Sequence, residues 1–147
     1  MFAARKPLLP VCLALVAGSI APLALAPLAW WPMALLSVVL WYGLLWQTTS
    51  KKHSLQIGFG YGAGYFLAGV SWIYVSMVDH AATPVPLAIA FTAVFCLGLG
   101  LFYMLLAWLY QRYLRSLDTW LQLLAFASLW VLLDLLRGWL FTGFPWL

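Results

Sequence analysis

Charge is what this chain lacks most. Of its 147 residues only 7% are Asp, Glu, Lys or Arg, where a soluble domain carries about 25%. That shortage excludes an aqueous domain of any size and leaves an integral membrane protein as the class. Acidic residues number three, all aspartate: Asp79, Asp118 and Asp134. The two cysteines, Cys12 and Cys96, lie far apart inside apolar runs. Neither has the spacing of a redox pair or metal site, so both read as packing residues. His53 and His80 add no cluster to them, and the sequence calls for no metal and no cofactor. There is also no Gly-x-x-x-x-Gly-Lys-Ser/Thr loop to cradle a phosphate. No internal repeat stands out of the kind that builds secondary transporters. The net charge of +4 would suggest nucleic acid in a soluble protein. Here the basic residues fall in short connections, where they set orientation instead, and no nucleic acid is expected.

What the chain has is apolar length and glycine. It is 67% hydrophobic with a mean hydropathy of +1.03, and the expected fold class is all-α, a bundle of about five transmembrane helices. The central stretch, residues 55–78, holds Gly58, Gly60, Gly62, Gly64 and Gly69 with no charge. In water each glycine would cost a helix about 1 kcal/mol against alanine. In lipid an unpaired backbone group costs more than that, so helix is retained. One helix over this stretch would rise about 36 Å, enough for a hydrocarbon core of about 30 Å. Gly58 and Gly62 then share one face and Gly60 and Gly64 another, two small-xxx-small pairs that admit a neighbouring backbone.

The other spans are expected at about 8–28, 32–46, 84–110 and 119–141. Arg5, Lys6 and the apolar run after them imitate a signal peptide, with Ala24-Leu25-Ala26 as a cleavage site. Apolar sequence resumes at once, however, and Pro27 would follow the cut, so the region reads as a retained first span. Pro22 and Pro27 should end its regular helix near Ala21. Gly98, Gly100, Ala93 and Ala107 offer close-packing surface on span four. Alternating spans put Arg5, Lys6, Lys51, Lys52, Arg112 and Arg115 on one side and Asp79 and His80 on the other. By the positive-inside rule the N-terminus is cytoplasmic. Trp108 and Trp120 then fall near the inner interface, and Trp30, Trp31, Trp139 and Trp146 near the outer.

Few residues can carry chemistry. Asp134 and Arg137 stand at i and i+3 on span five and can form an ion pair. Either charge alone in lipid is expensive, so both should face the bundle interior or a polar cavity. Three readings stay open: a structural pair pinning the span, an Arg137 that meets a lipid phosphate through its planar donor fork, and an arginine snorkelling to the interface. Trp72 and Ser76 are four apart and can line a groove opening to the outer leaflet, with aromatic packing as the alternative. Trp139, Phe141, Phe144 and Trp146 form an aromatic exit from the membrane, broken by Gly143 and Pro145. Asp79 and His80 read as a solvated loop, with a proton-transfer pair as the alternative.

Three segments carry a resemblance. Residues 127–147, ASLWVLLDLLRGWLFTGFPWL, resemble the apolipoprotein N-acyltransferases, as do residues 58–76, GFGYGAGYFLAGVSWIYVS, and 25–32, LAPLAWWP. The similarity extends over essentially the whole chain. It implies an enzyme of the bacterial inner membrane that moves an acyl chain from a membrane phospholipid to the α-amino group of the diacylglyceryl-cysteine of a lipoprotein. It further implies a thioester intermediate on a Glu-Lys-Cys triad in a nitrilase-like domain outside the membrane. That domain is expected to be absent from these 147 residues. Cys12 and Cys96 are intramembrane and have no Lys or Glu neighbour to activate them. The expected partners are therefore membrane phospholipid, diacylated lipoprotein, and the missing catalytic domain and later helices. The chain alone is expected to be inactive. The alternative reading is a small membrane scaffold or transporter subunit with no enzymatic role.

Overall fold

The computed structural model describes residues 8–141. Over these the chain is an all-α membrane bundle: α1 (Leu8–Ile20), α2 (Pro32–Gln47), α3 (Lys51–Gly69), the short α4 (Trp72–Val75), α5 (Val85–Leu109) and α6 (Thr119–Leu140). A 3-10 turn, Ala21–Ala24, closes α1, and π turns follow α4 (Ser76–His80) and α5 (Tyr110–Leu114). Proline sets the first reversal. Pro22 tightens the end of α1, and Trp30 N–H donates back to Leu23 O at 3.0 Å. Pro32 then starts α2, where its missing N–H leaves nothing unpaired.

Helix α3 is the centre, and glycine puts it there. A Cβ built on Gly64 would lie 2.0 Å from Leu15 O of α1, and one on Gly60 3.0 Å from Val11 O. Gly18 of α1 answers from the other side, its Cβ falling 2.0 Å from Tyr61 O. On the opposite face, Cβ atoms on Gly58 and Gly62 would each lie 2.7 Å from a carbonyl of α5, Tyr103 O and Gly100 O. Three helices thus touch backbone to backbone in the order α1, α3, α5. Such contact gains dispersion and Cα–H···O attraction that bulkier residues would forbid, and in lipid there is little other force to hold helices together. Ser54 adds a hydrogen bond from its hydroxyl to Ala107 O at 3.0 Å. Gly98, by contrast, has nothing within 4 Å of its would-be Cβ. Of the small residues singled out near the middle of α5, Gly100 packs and Gly98 faces outward.

Helices α2 and α6 close the bundle with side chains. Trp41 of α2 is fully buried, stacks on Tyr61 at 4.3 Å and meets Tyr103, Phe126 and Trp130 edge-on or tilted at 5.5–5.6 Å. Several polar groups in this core are paired across helices, which offsets the cost of burying them away from water. Ser37 donates to Ala17 O at 2.6 Å and shares a hydrogen bond with the Tyr61 hydroxyl. Tyr42 donates to Gln122 Oε1, and Gln122 Nε2 donates to the Tyr110 hydroxyl, both at 3.2 Å.

The central stretch is not one straight helix over 55–78. It starts earlier, at Lys51, stops at Gly69, and resumes at Trp72 after a bend of 44°. Gly69 and Ser71 bracket the bend and a π turn follows it, the kind of sequence at which membrane helices kink without proline. Gly69 thus ends a helix, and it is only partly covered. Among the described residues two helices are long and apolar enough to cross a membrane, Val85–Leu114 and Thr119–Leu140, and the bent pair is a third where it is counted as one span. The apolar segments Leu8–Ala24 and Pro32–Gln47 are shorter.

Candidate functional site

Helix α6 carries an aspartate and an arginine well inside its length, and the fold gathers aromatic rings around them. Arg137 is 5% exposed. Its guanidinium lies 3.2 Å from Asp134 Oδ1 and sits over the Phe66 ring of α3, 5.1 Å from the centroid. The other Asp134 oxygen accepts from Trp130 Nε1 at 3.0 Å. Trp130, Asp134 and Arg137 follow one another at i, i+4 and i+7, a spacing that lines one face of a helix. Both carboxylate oxygens are thereby engaged from within α6, while α3 supplies a π face for the cation. The Asp134 side chain is 42% exposed, so the pair is sunk at its arginine end and open at its aspartate end. Tyr103 stands behind it, with its ring 5.1 Å from that of Trp130. The Arg137 side chain is thus enclosed by the bundle.

Four residues beyond Phe66 the central helix bends, and an apolar groove of about 390 Å³ opens between the bent segment and α5. It is lined by Ile73 and Met77 on one side and Phe91, Val94 and Phe95 on the other. Trp72 and Ser76 do not line it. Each stands one position before a lining residue, and one residue turns a helix by about 100°. Trp72 instead faces outward, half exposed. At the end of α6, Phe141 packs its ring 6.3 Å from Phe95 and 6.2 Å from Phe102, tying that helix end to the groove wall. Trp139 is 79% exposed on the far side of α6 and belongs to neither the ion pair nor the groove. Phe144 and Trp146 lie outside the described residues. Asp79 and His80 are exposed in the turn that follows the bend.

The site therefore joins Arg137, Asp134 and Phe141 with partners that no sequence pattern singled out: Phe66, Trp130 and Phe95. Trp130 was accessible in principle, since it precedes Asp134 by one helical turn. Phe66 and Phe95 come from other helices, and only tertiary packing brings them in. The arrangement offers a buried cation, a carboxylate open on one side and a dry groove within one helical turn of the bend. Among the described residues no three His, Cys, Asp or Glu come together; Cys12 is exposed and Cys96 is buried in the core next to Phe95.

Comparison with known proteins supplies a context for this geometry. The model of the family described as the apolipoprotein N-acyltransferase N-terminal domain matches residues 17–147. The chain is 49% identical over 137 residues to an apolipoprotein N-acyltransferase of Pseudomonas aeruginosa (strain LESB58), 47% identical over 137 residues to one of Azotobacter vinelandii, and 38% identical over 135 residues to one of Methylococcus capsulatus. In each case 92% of the chain is covered, but only 26–27% of the relative. The chain spans about a quarter of the length of the curated relatives it matches.

Proposed function

The chain belongs to the apolipoprotein N-acyltransferase N-terminal domain family, and from that premise we propose that it is the membrane part of an enzyme that moves an acyl chain from phospholipid to the α-amino group of a lipoprotein's diacylglyceryl-cysteine. Its place is the bacterial inner membrane with the N-terminus cytoplasmic, and α1, α2, the bent α3–α4, α5 and α6 are its five spans. Positive charge supports that orientation: Lys51, Lys52, Arg112 and Arg115 fall at one end of the bundle, Asp79 and His80 at the other.

The physical task of this part is to admit lipid from the side and hold it at the outer surface. The observation that carries the reading is the apolar groove beside the bend, with Phe141 on its wall. An acyl chain fits there without desolvating any polar group, and Arg137, a buried cation on the helix that Phe141 ties to the groove wall, is available to a phosphate or carbonyl oxygen. Arg137 suits that role because Asp134 and Trp130 already fix its geometry. Little ordering remains when an oxygen arrives. The chemistry itself, a thioester on a Glu-Lys-Cys triad, belongs to a part of the enzyme outside these residues. No glutamate is present here to complete such a triad.

The test is acyl transfer by the full enzyme. Arg137→Ala should reduce transfer from phospholipid by at least tenfold at normal protein level, and Val94→Trp, which fills the groove, should reduce it comparably. Unchanged transfer in both would sink the reading. Purified alone with phospholipid and a lipopeptide acceptor, the 147-residue chain should give no N-acylated product by mass spectrometry.

A further inference from the structure

A second cleft, of about 560 Å³, lies at the opposite end of the bundle, where α1, α2 and α3 diverge around the connection 48–50. Its inner wall is apolar, formed by Leu13, Leu44 and Ile57, and its mouth is polar, formed by Gln47, Thr48 and His53. The volume falls within the range of small-molecule sites, roughly 300–1,000 Å³. Around the mouth the charge has one sign. Lys51 and Lys52 precede His53 in the first turn of α3, and all three are exposed. The Arg115 guanidinium donates to Thr48 O, a carbonyl of a lining residue, and Gln111 Nε2 donates to Thr49 O at 3.0 Å. The first of these bonds holds a cation against the rim. Of the three aspartates, Asp79 lies beyond the bend and Asp134 is paired with Arg137. Asp118, in the connection after Arg115, is the only acidic residue at this end among the described residues.

An apolar slot between transmembrane helices, with the bonded Arg115 beside Thr48 and the exposed Lys51 and Lys52 next to His53 in sequence, matches one kind of molecule. We propose that this cleft binds an anionic glycerophospholipid of the leaflet on the lysine side, with one acyl chain along Leu13, Leu44 and Ile57 and the acidic headgroup at Lys51, Lys52 and Arg115. The lipid is a bound companion rather than a substrate, because the cleft and the groove beside the bend lie at opposite ends of the bundle. Basic pockets between helices are the usual place for such lipids, and each Lys or Arg near the headgroup changes affinity about fivefold. The proposal rests on the membrane placement given above but not on the role of Arg137.

The experiment is native mass spectrometry of the full-length protein in detergent, offered equal amounts of phosphatidylglycerol and phosphatidylcholine with identical chains. The expected result is at least tenfold preferential retention of the anionic lipid. Lys51→Gln with Lys52→Gln should lower that retention at least tenfold, and Leu13→Trp, which occludes the slot, should abolish it. Arg112→Gln removes an exposed charge at the same end that does not line the cleft, and should leave retention within twofold. Should Leu13→Trp not fold, judged by helical circular dichroism, competition replaces it. Glycerol 3-phosphate in large excess should then fail to displace the lipid if its chain is held in the slot. Equal retention of the two lipids, an Arg112→Gln loss as large as that of the lysine pair, or ready displacement by glycerol 3-phosphate would each overturn the proposal.

Discussion

The layer α1–α3–α5 and the helix α6 are held to the bundle by different means. In the layer, backbone meets backbone: Gly18, Gly60 and Gly64 on one side of α3, Gly58, Gly62 and Gly100 on the other, each with a carbonyl or amide closer than a Cβ would ordinarily allow. Helix α6 carries Gly138, but nothing lies within 4 Å of its would-be Cβ. It docks instead through Phe126, Trp130, Leu133 and Arg137, and leaves Leu124, Val131, Leu132, Leu135 and Trp139 uncovered by protein. A glycine contact has a single geometry, since any displacement either opens a void or drives atoms together. A ring-on-ring contact tolerates a change of rotamer. The layer is thus the rigid reference of the fold, and α6 is the element with freedom to adjust near the groove.

That contrast can be broken experimentally, and the largest effect belongs to the layer. Gly64→Leu places a branched side chain against Leu15 O and should prevent α1 from docking. The folded population, measured by protease resistance in detergent, should collapse, whereas Gly138→Leu should leave it near wild type. Even Gly64→Ala should destabilise by about 3 kcal/mol, the upper end of overpacking costs. Equal tolerance at Gly64 and Gly138 would erase the distinction between the two regions. Next comes the ion pair. Asp134→Asn leaves Arg137 buried without its counter-charge and should cost about 2 kcal/mol in unfolding. That is less than the 3–5 kcal/mol of a fully buried pair, because Asp134 is 42% exposed. Phe66→Leu removes the π face under Arg137 and should cost about 1 kcal/mol. In the full enzyme its effect on transfer should be smaller than that of Arg137→Ala. The smallest effect is expected of Gly98→Ala, on the open face of α5. Helix propensity alone predicts a gain of up to about 1 kcal/mol there, readable as a small rise in melting temperature.

Much of this architecture can be read from the chain, for identifiable reasons. The deficit of charge gives the membrane class directly, because no soluble surface can be built from it. The period of a helix puts Gly58 with Gly62 and Gly60 with Gly64 on separate faces, and those faces meet α5 and α1. Which helix meets which face is not contained in the period. Nor is Gly18, a lone glycine in α1 that is as tightly enclosed as Gly64. Gly98 and Gly100 look alike in sequence, yet two positions along a helix are about 200° apart, and only one of them can face α3. The bend after Gly69 escapes a reading based on proline, because its determinants are glycine, serine and a π turn. At the site, spacing along one helix finds Asp134 and Arg137. Phe66 and Phe95 are two of many apolar residues on their own helices, and only a neighbour distinguishes them.

The hydrogen bond from Trp130 and the bridge to Arg137 both originate on the helix that bears Asp134. Helix α6 therefore brings its own neutralisation with it. When this segment leaves the insertion machinery, its acid and base already face one another across less than a turn, so the bilayer receives a dipole and not two ions. No earlier helix has to be waiting to cancel them. Assembly can then proceed as the side-by-side docking of segments that are each already at ease in lipid, with Phe66 offering its ring only at the end.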